Sequence, residues 1–151
     1  MSESTTNDPT TGESTARQRG SDGEKWLSGF VSLIGLWIAV SPFVYGPAAS
    51  MLWNNLLVGG GIFLLAGYNY YRLANGYATS TGVMSLVALL ALWIFVSQWA
   101  LGGEFAMSGL EAASTALIWS NVLSGLVAAG LSAYIAYTGG REVPSGTAAQ
   151  T

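Results

Sequence analysis

The chain has 151 residues, 51% of them hydrophobic and only 9% charged, with a net charge of −3, no cysteine and no histidine. A soluble domain carries about 25% charged residues, and a chain this small cannot hide so much apolar surface inside a globule, so a soluble enzyme is excluded. Disulfides, thiolate chemistry, zinc–thiolate sites and histidine-based acid–base or metal chemistry go with the missing residues, and no basic patch offers itself to nucleic acid.

Residues 1–25 are rich in Ser, Thr, Asp, Glu and Gly and hold no Leu, Ile, Val or aromatic residue. Such a segment cannot offset its ordering entropy, so a disordered polar tail is expected. It lacks the early apolar run of a signal peptide. A single lysine in the whole chain and an acidic, Thr-rich tail point weakly to a high-salt host.

Four apolar segments follow, at about residues 26–45, 51–71, 81–101 and 114–137. Each matches the roughly 20 residues needed to cross about 30 Å of hydrocarbon. They are apolar all round, without the polar stripe of a soluble amphipathic helix, and only helices satisfy their own backbone groups in lipid. The predicted fold is all-α: a polytopic membrane protein of four transmembrane helices arranged as two tandem hairpins, residues 26–72 and 80–138. A short polar tail, residues 139–151, closes the chain. The first segment ends at Ser41-Pro42 and Gly46-Pro47; Pro42 is placed to kink or end the helix and free a carbonyl. Trp26, Trp53, Trp99, Tyr45, Tyr71 and Tyr137 fit interfacial aromatic belts, while Trp37 and Trp93 lie deeper. Before the fourth segment, Ser108-Gly109-Leu110-Glu111 fits a capping box, so that helix starts near Gly109 or breaks near Ser114-Thr115. Glu104 and Glu111 read as solvated loop charges.

The five basic residues, Arg17, Arg19, Lys25, Arg72 and Arg141, all fall on one side of such a four-span chain. The positive-inside rule then puts the N-terminus, the middle connection and the C-terminus in the cytoplasm of a cell-membrane protein.

The second half repeats the first. The segment Leu33 to Phe43 aligns with Leu89 to Trp99, with six of eleven pairs identical, and Trp53 to Gly59 aligns with Trp119 to Gly125, with four of seven identical. The offset is 56 residues at Trp37 and Trp93 and 66 at Trp53 and Trp119. An even number of spans per copy makes this a parallel repeat. Trp37 followed four residues later by Ser41-Pro42-Phe43, then Trp53 and Asn55 opening the next helix, resembles the SPW repeat family of membrane proteins; the second copy shows Trp93, Ser97-Gln98-Trp99, Trp119 and Asn121. Each copy departs from Ser-Pro-Trp at one position, Phe43 in the first and Gln98 in the second. The resemblance implies a two-helix membrane unit and brings no catalytic, cofactor or metal residues with it.

Trp37 and Ser41 share one helix face, at about the depth of Asn55. A hydrogen bond from Ser41 to Asn55 is expected across the first hairpin, with Ser97 and Asn121 paired likewise in the second. Gly59-Gly60-Gly61 and the Gly125, Ala129, Ala133 series let helices approach closely, within one bundle or against a partner. The functional expectation is a non-catalytic scaffold or accessory subunit, embedded in the lipid bilayer and packing on itself or in a larger membrane complex. The alternative is a small channel or transporter for a neutral solute lined by Ser and Asn. Proton-coupled transport is disfavoured because the spans carry no carboxylate or basic side chain, Arg72 falling at the start of the connection after the second, and no cofactor or metal is expected.

Overall fold

The structure, a computed structural model, describes residues 9–46, 49–102 and 114–141. Four helices follow one another: α1 (Pro9–Tyr45), α2 (Ala49–Ala74), α3 (Thr81–Gly102) and α4 (Thr115–Arg141). All four are long and apolar enough to cross a membrane, the candidate spans being Asp22–Tyr45, Ala49–Ala74, Thr81–Leu101 and Thr115–Arg141. No strand occurs among the described residues.

The expected disordered tail is corrected over residues 9–25, which continue α1 toward the N-terminus. A helix nucleated by its apolar part extends by propagation alone, and Pro9 stands at its first position, where a missing N–H costs nothing. The span accordingly begins at Asp22, ahead of Trp26, and takes in Asp22, Glu24 and Lys25, while Arg72 and Arg141 fall at the ends of the second and fourth spans. At the other end of the chain α4 runs to Arg141, past the expected boundary at 138. The capping box at 108–111, Glu104 and Glu111 lie outside the described residues. The start of α4 is at Ser114, whose hydroxyl accepts the Leu117 backbone N–H at 3.3 Å, an N-cap bond to the third helical residue.

Pro42 does not end α1; the helix passes through it to Tyr45. Termination falls to Gly46, at φ 68°, a left-handed conformation that costs glycine little. Its N–H bonds back to the Pro42 carbonyl at 2.9 Å.

The helices alternate in direction and form a four-membered ring, in which α1 touches α2 and α4, and α3 touches α2 and α4. The start of α1, the α2–α3 connection and the end of α4 meet at one end, called proximal here; the other end is distal. Each helix turns its small and medium residues inward. Val31, Ile38, Ile62, Met84, Val87, Ile94, Ala128 and Ile135 are fully buried and make a continuous apolar belt through the middle. The large side chains mostly face out, among them Leu57, Leu64, Leu89, Leu123 and Trp119. In water such a surface would be an aggregation liability; in lipid it is the solvent-facing side.

Contact within each hairpin is made by backbone. A Cβ on Gly59 would lie 2.6 Å from the Ala39 nitrogen, and one on Gly35 would lie 2.5 Å from the Phe63 nitrogen. In the second hairpin Ala91 stands where Gly35 does in the first. There a Cβ on Gly125 would meet the Ala91 oxygen and the Phe95 nitrogen, both at 2.9 Å. Of the Gly59–Gly61 triplet only Gly59 faces this contact; Gly60 has nothing within 4 Å.

Candidate functional site

The polar residues singled out in the sequence collect at the distal end of the bundle. Ser41, Asn55, Ser97 and Asn121 are all fully buried. A buried polar group in this setting must find a partner, since an unmade bond costs about 1–3 kcal/mol. Asn55 Nδ2 donates to Asn121 Oδ1 at 2.9 Å, joining α2 to α4 across the diagonal of the ring. The same amide reaches Ser41 Oγ at 3.5 Å, so the expected Ser41–Asn55 contact is present but at the long limit of a hydrogen bond.

The expected Ser97–Asn121 partner is corrected. Asn121 Nδ2 donates to Gln98 Oε1 at 3.2 Å, while Ser97 Oγ accepts from Asn54 Nδ2 at 3.2 Å. Gln98 occupies the place of Pro42, and its long amide reaches Asn121 before the short serine can.

The Ser-Pro pair has a local explanation. Pro42 has no N–H to give the Ile38 carbonyl one turn back, and the Ser41 hydroxyl donates to that carbonyl at 3.0 Å. In the second hairpin Ser97 Oγ makes the same bond to the Ile94 carbonyl at 3.0 Å, joined there by Gln98 Nε2 at 2.8 Å.

The tryptophans complete the arrangement. Trp37 Nε1 donates to Ser120 Oγ at 2.9 Å, and Trp93 Nε1 donates to Asn54 Oδ1 at 2.9 Å. Trp93 lies 56 residues after Trp37, and Ser120 lies 66 after Asn54, so the two bonds are counterparts. Both run from one hairpin to the other. Trp53 and Trp119 take no part: they are 58% and 61% exposed and face outward at the distal end, as an interfacial belt requires. Pro42 is buried beside the network.

The division of labour is clear. Glycines hold each hairpin together, and the Trp–Ser–Asn residues hold one hairpin to the other. Asn54, Gln98 and Ser120 are members that sequence reasoning missed. Their signal was available, since each is polar inside an apolar span and stands at a position aligned with a motif residue or beside one. We expect Trp37→Phe, which keeps the ring and removes the donor, to lower stability by about 0.6–1.7 kcal/mol, the range of interhelical bonds in membranes. In a Ser120→Ala background the same change should cost almost nothing; unfolding titrations in mixed micelles measure both.

A second polar group lies at the proximal end. Asn69 Nδ2 donates to Ser28 Oγ at 2.8 Å and its Oδ1 accepts the Ser80 backbone N–H at 2.8 Å, tying both helices of the first hairpin to the start of α3. Glu24, only 5% exposed, accepts from Thr79 Oγ1 at 2.5 Å. None of this has a counterpart in the second hairpin, where Met84 and Ile135 stand at the places of Ser28 and Asn69. Arg72 lies over the Tyr68 and Tyr77 rings, 5.8 and 5.7 Å from their centroids, and Arg141 over Tyr137 at 4.2 Å. These are cation–π contacts that hold two of the basic residues against tyrosine rings at the proximal end.

Among the described residues no group of three or more His, Cys, Asp or Glu side chains is placed to hold a metal ion. The family model described as SPW repeat domain matches residues 25–135. No curated protein and no solved structure matches the chain.

Proposed function

We propose that this chain, which belongs to the SPW repeat family, is a non-catalytic membrane scaffold or accessory subunit built from a duplicated helical hairpin. The observation that carries this reading is that the Trp, Ser, Asn and Gln side chains of the distal network satisfy one another, Ser50 Oγ beside them being left unpartnered. The Asn55 amide is spent on Asn121 and Ser41, that of Asn121 on Gln98, and the indoles of Trp37 and Trp93 on Ser120 and Asn54. Side chains that satisfy one another specify a bundle; side chains that bind a solute keep donors and acceptors turned toward a cavity. The belt of fully buried residues at mid-depth counts against a neutral-solute channel, which needs a wetted path.

The proposed setting is the cell membrane, with both termini and the α2–α3 connection in the cytoplasm. Arg72 and Arg141 stand at the proximal end with the start of α1, where the positive-inside rule wants them. The test is purification of the full chain from its host in gentle detergent, followed by native mass spectrometry. A reproducible heteromer of fixed stoichiometry is the expected result. A chain recovered without protein partners, together with neutral-solute flux in proteoliposomes, would overturn the scaffold reading in favour of the channel.

A further inference from the structure

An apolar groove of about 480 Å³ opens on the outer face of the first hairpin, between α1 and α2 toward the proximal end. Its floor is Gly29, Ser32 and Gly67, and its walls are the rings of Trp26, Phe30 and Tyr70. The glycines create it: a Cβ on Gly29 would come within 3.2 Å of the Tyr70 ring, and one on Gly67 within 3.3 Å of Ser32 Oγ. The Ser32 hydroxyl is spent on the Phe63 carbonyl at 2.9 Å, so the floor is chemically apolar.

Three observations say what fills it. Trp26 and Phe30 are 71% and 53% exposed and stand out as walls. Helices that dock closely in membranes present small residues instead, whereas an acyl chain conforms to a walled slot. Trp26 and Tyr70 belong to the residue types that favour the headgroup boundary, which places the open end of the slot at headgroup depth. Lys25 lies one turn proximal to Gly29, on the same face of α1. Among the described residues its ammonium contacts Asp22 at 3.2 Å, through one of the three donors that an ammonium carries. The second hairpin lacks the aromatic walls, since Gly82, Leu86 and Ala136 occupy the places of Trp26, Phe30 and Tyr70.

We propose that this groove is a binding site for one anionic glycerophospholipid, an acyl chain lying between Trp26, Phe30 and Tyr70 and the phosphate resting on Lys25. The site belongs to the first hairpin alone, so the two repeats differ in their dealings with the membrane while sharing the distal network.

The experiment is native mass spectrometry of the full chain in a neutral detergent, titrated with phosphatidylglycerol and, separately, with diacylglycerol of the same chains. One phosphatidylglycerol per chain is expected. Gly29→Leu, which fills the floor, should weaken it at least tenfold, and Ser85→Leu, the same change at the matching place of the second hairpin, should leave it unaltered. Lys25→Gln should weaken phosphatidylglycerol about fivefold, the contribution of one basic residue near an anionic headgroup, and leave diacylglycerol unchanged. Phe30→Ala inserts nothing and removes a wall, so its loss of lipid keeps the test decisive if Gly29→Leu does not fold. Equal lipid retention by Phe30→Ala, Ser85→Leu and the unmodified chain would overturn the proposal. So would a second protein chain, in place of lipid, that departs when the groove is altered.

Discussion

Gly59→Ala will be among the most destabilising single substitutions in this protein, and Gly60→Ala, one residue later, will be harmless. The added methyl at Gly59 would fall 2.6 Å from the Ala39 nitrogen and 2.9 Å from the Gly35 oxygen. Both are backbone atoms, which cannot step aside as a flexible side chain would, so α1 and α2 must separate along their length. Overpacking of this kind costs about 1–3 kcal/mol and sometimes more, and the lost packing falls on the contact that makes the hairpin. At Gly60 the methyl meets nothing within 4 Å, and alanine's better helix propensity is worth about 0.5–1 kcal/mol in its favour. Gly125→Ala should fall between them: its nearest atoms are also backbone, but at 2.9 Å, because Ala91 already spaces the second hairpin. Denaturing-detergent titrations followed by tryptophan fluorescence will rank the three. Equal midpoints for Gly59→Ala and Gly60→Ala would mean that the two helices do not meet where the structure has them.

The glycine triplet also shows what a sequence can and cannot convey. That small residues in α2 permit close approach is legible from composition. Which of the three does so depends on 100° of helix rotation per residue and on the direction of the neighbouring helix, and neither is written in an apolar run without a polar stripe. The same limit explains the distal site. The Trp, Ser and Asn positions were legible because they recur at matching places, and their common depth follows from their distance to the helix ends. Their partners were not, since depth does not say which of two neighbouring helices a side chain meets. The expectation therefore kept Ser97 with Asn121 inside one hairpin, whereas Ser97 reaches Asn54 in the other. At the proximal end, a composition boundary drawn at Trp26 set Glu24 in a polar tail. The helix continues through that boundary and lays Glu24 against Thr79, a pairing between residues with no shared pattern.

Replacing Asn55 or Asn121 by leucine will test how the two hairpins are joined. The helices α2 and α4 stand diagonally in the ring and have no backbone contact. The Asn55–Asn121 bond, 2.9 Å long, is a direct side-chain hydrogen bond between them, and energetic coupling at this pair reports it. Asn55→Leu deprives Asn121 Oδ1 of its donor in a fully buried place, a penalty of about 1–3 kcal/mol for an unpaired group. Leucine must also fit a space shaped for an amide. Asn121→Leu strands Asn55 in turn and leaves Gln98 Oε1 without its donor. The double substitution removes both ends of the bond together and should cost less than the sum of the singles, by about 0.6–1.7 kcal/mol. That is the span measured for interhelical hydrogen bonds in a membrane, where unfolded chains also find partners. A parallel cycle between Ser41 and Asn55 should show coupling near zero, because that contact is stretched to 3.5 Å and Ser41 keeps its bond to Ile38. Strong coupling at Ser41–Asn55 with none at Asn55–Asn121 would reverse the assignment, returning the motif to the interior of each hairpin. The ordering expected here makes these residues a clasp between repeats, which ties their recurrence in both copies to a bundle that each hairpin alone could not close.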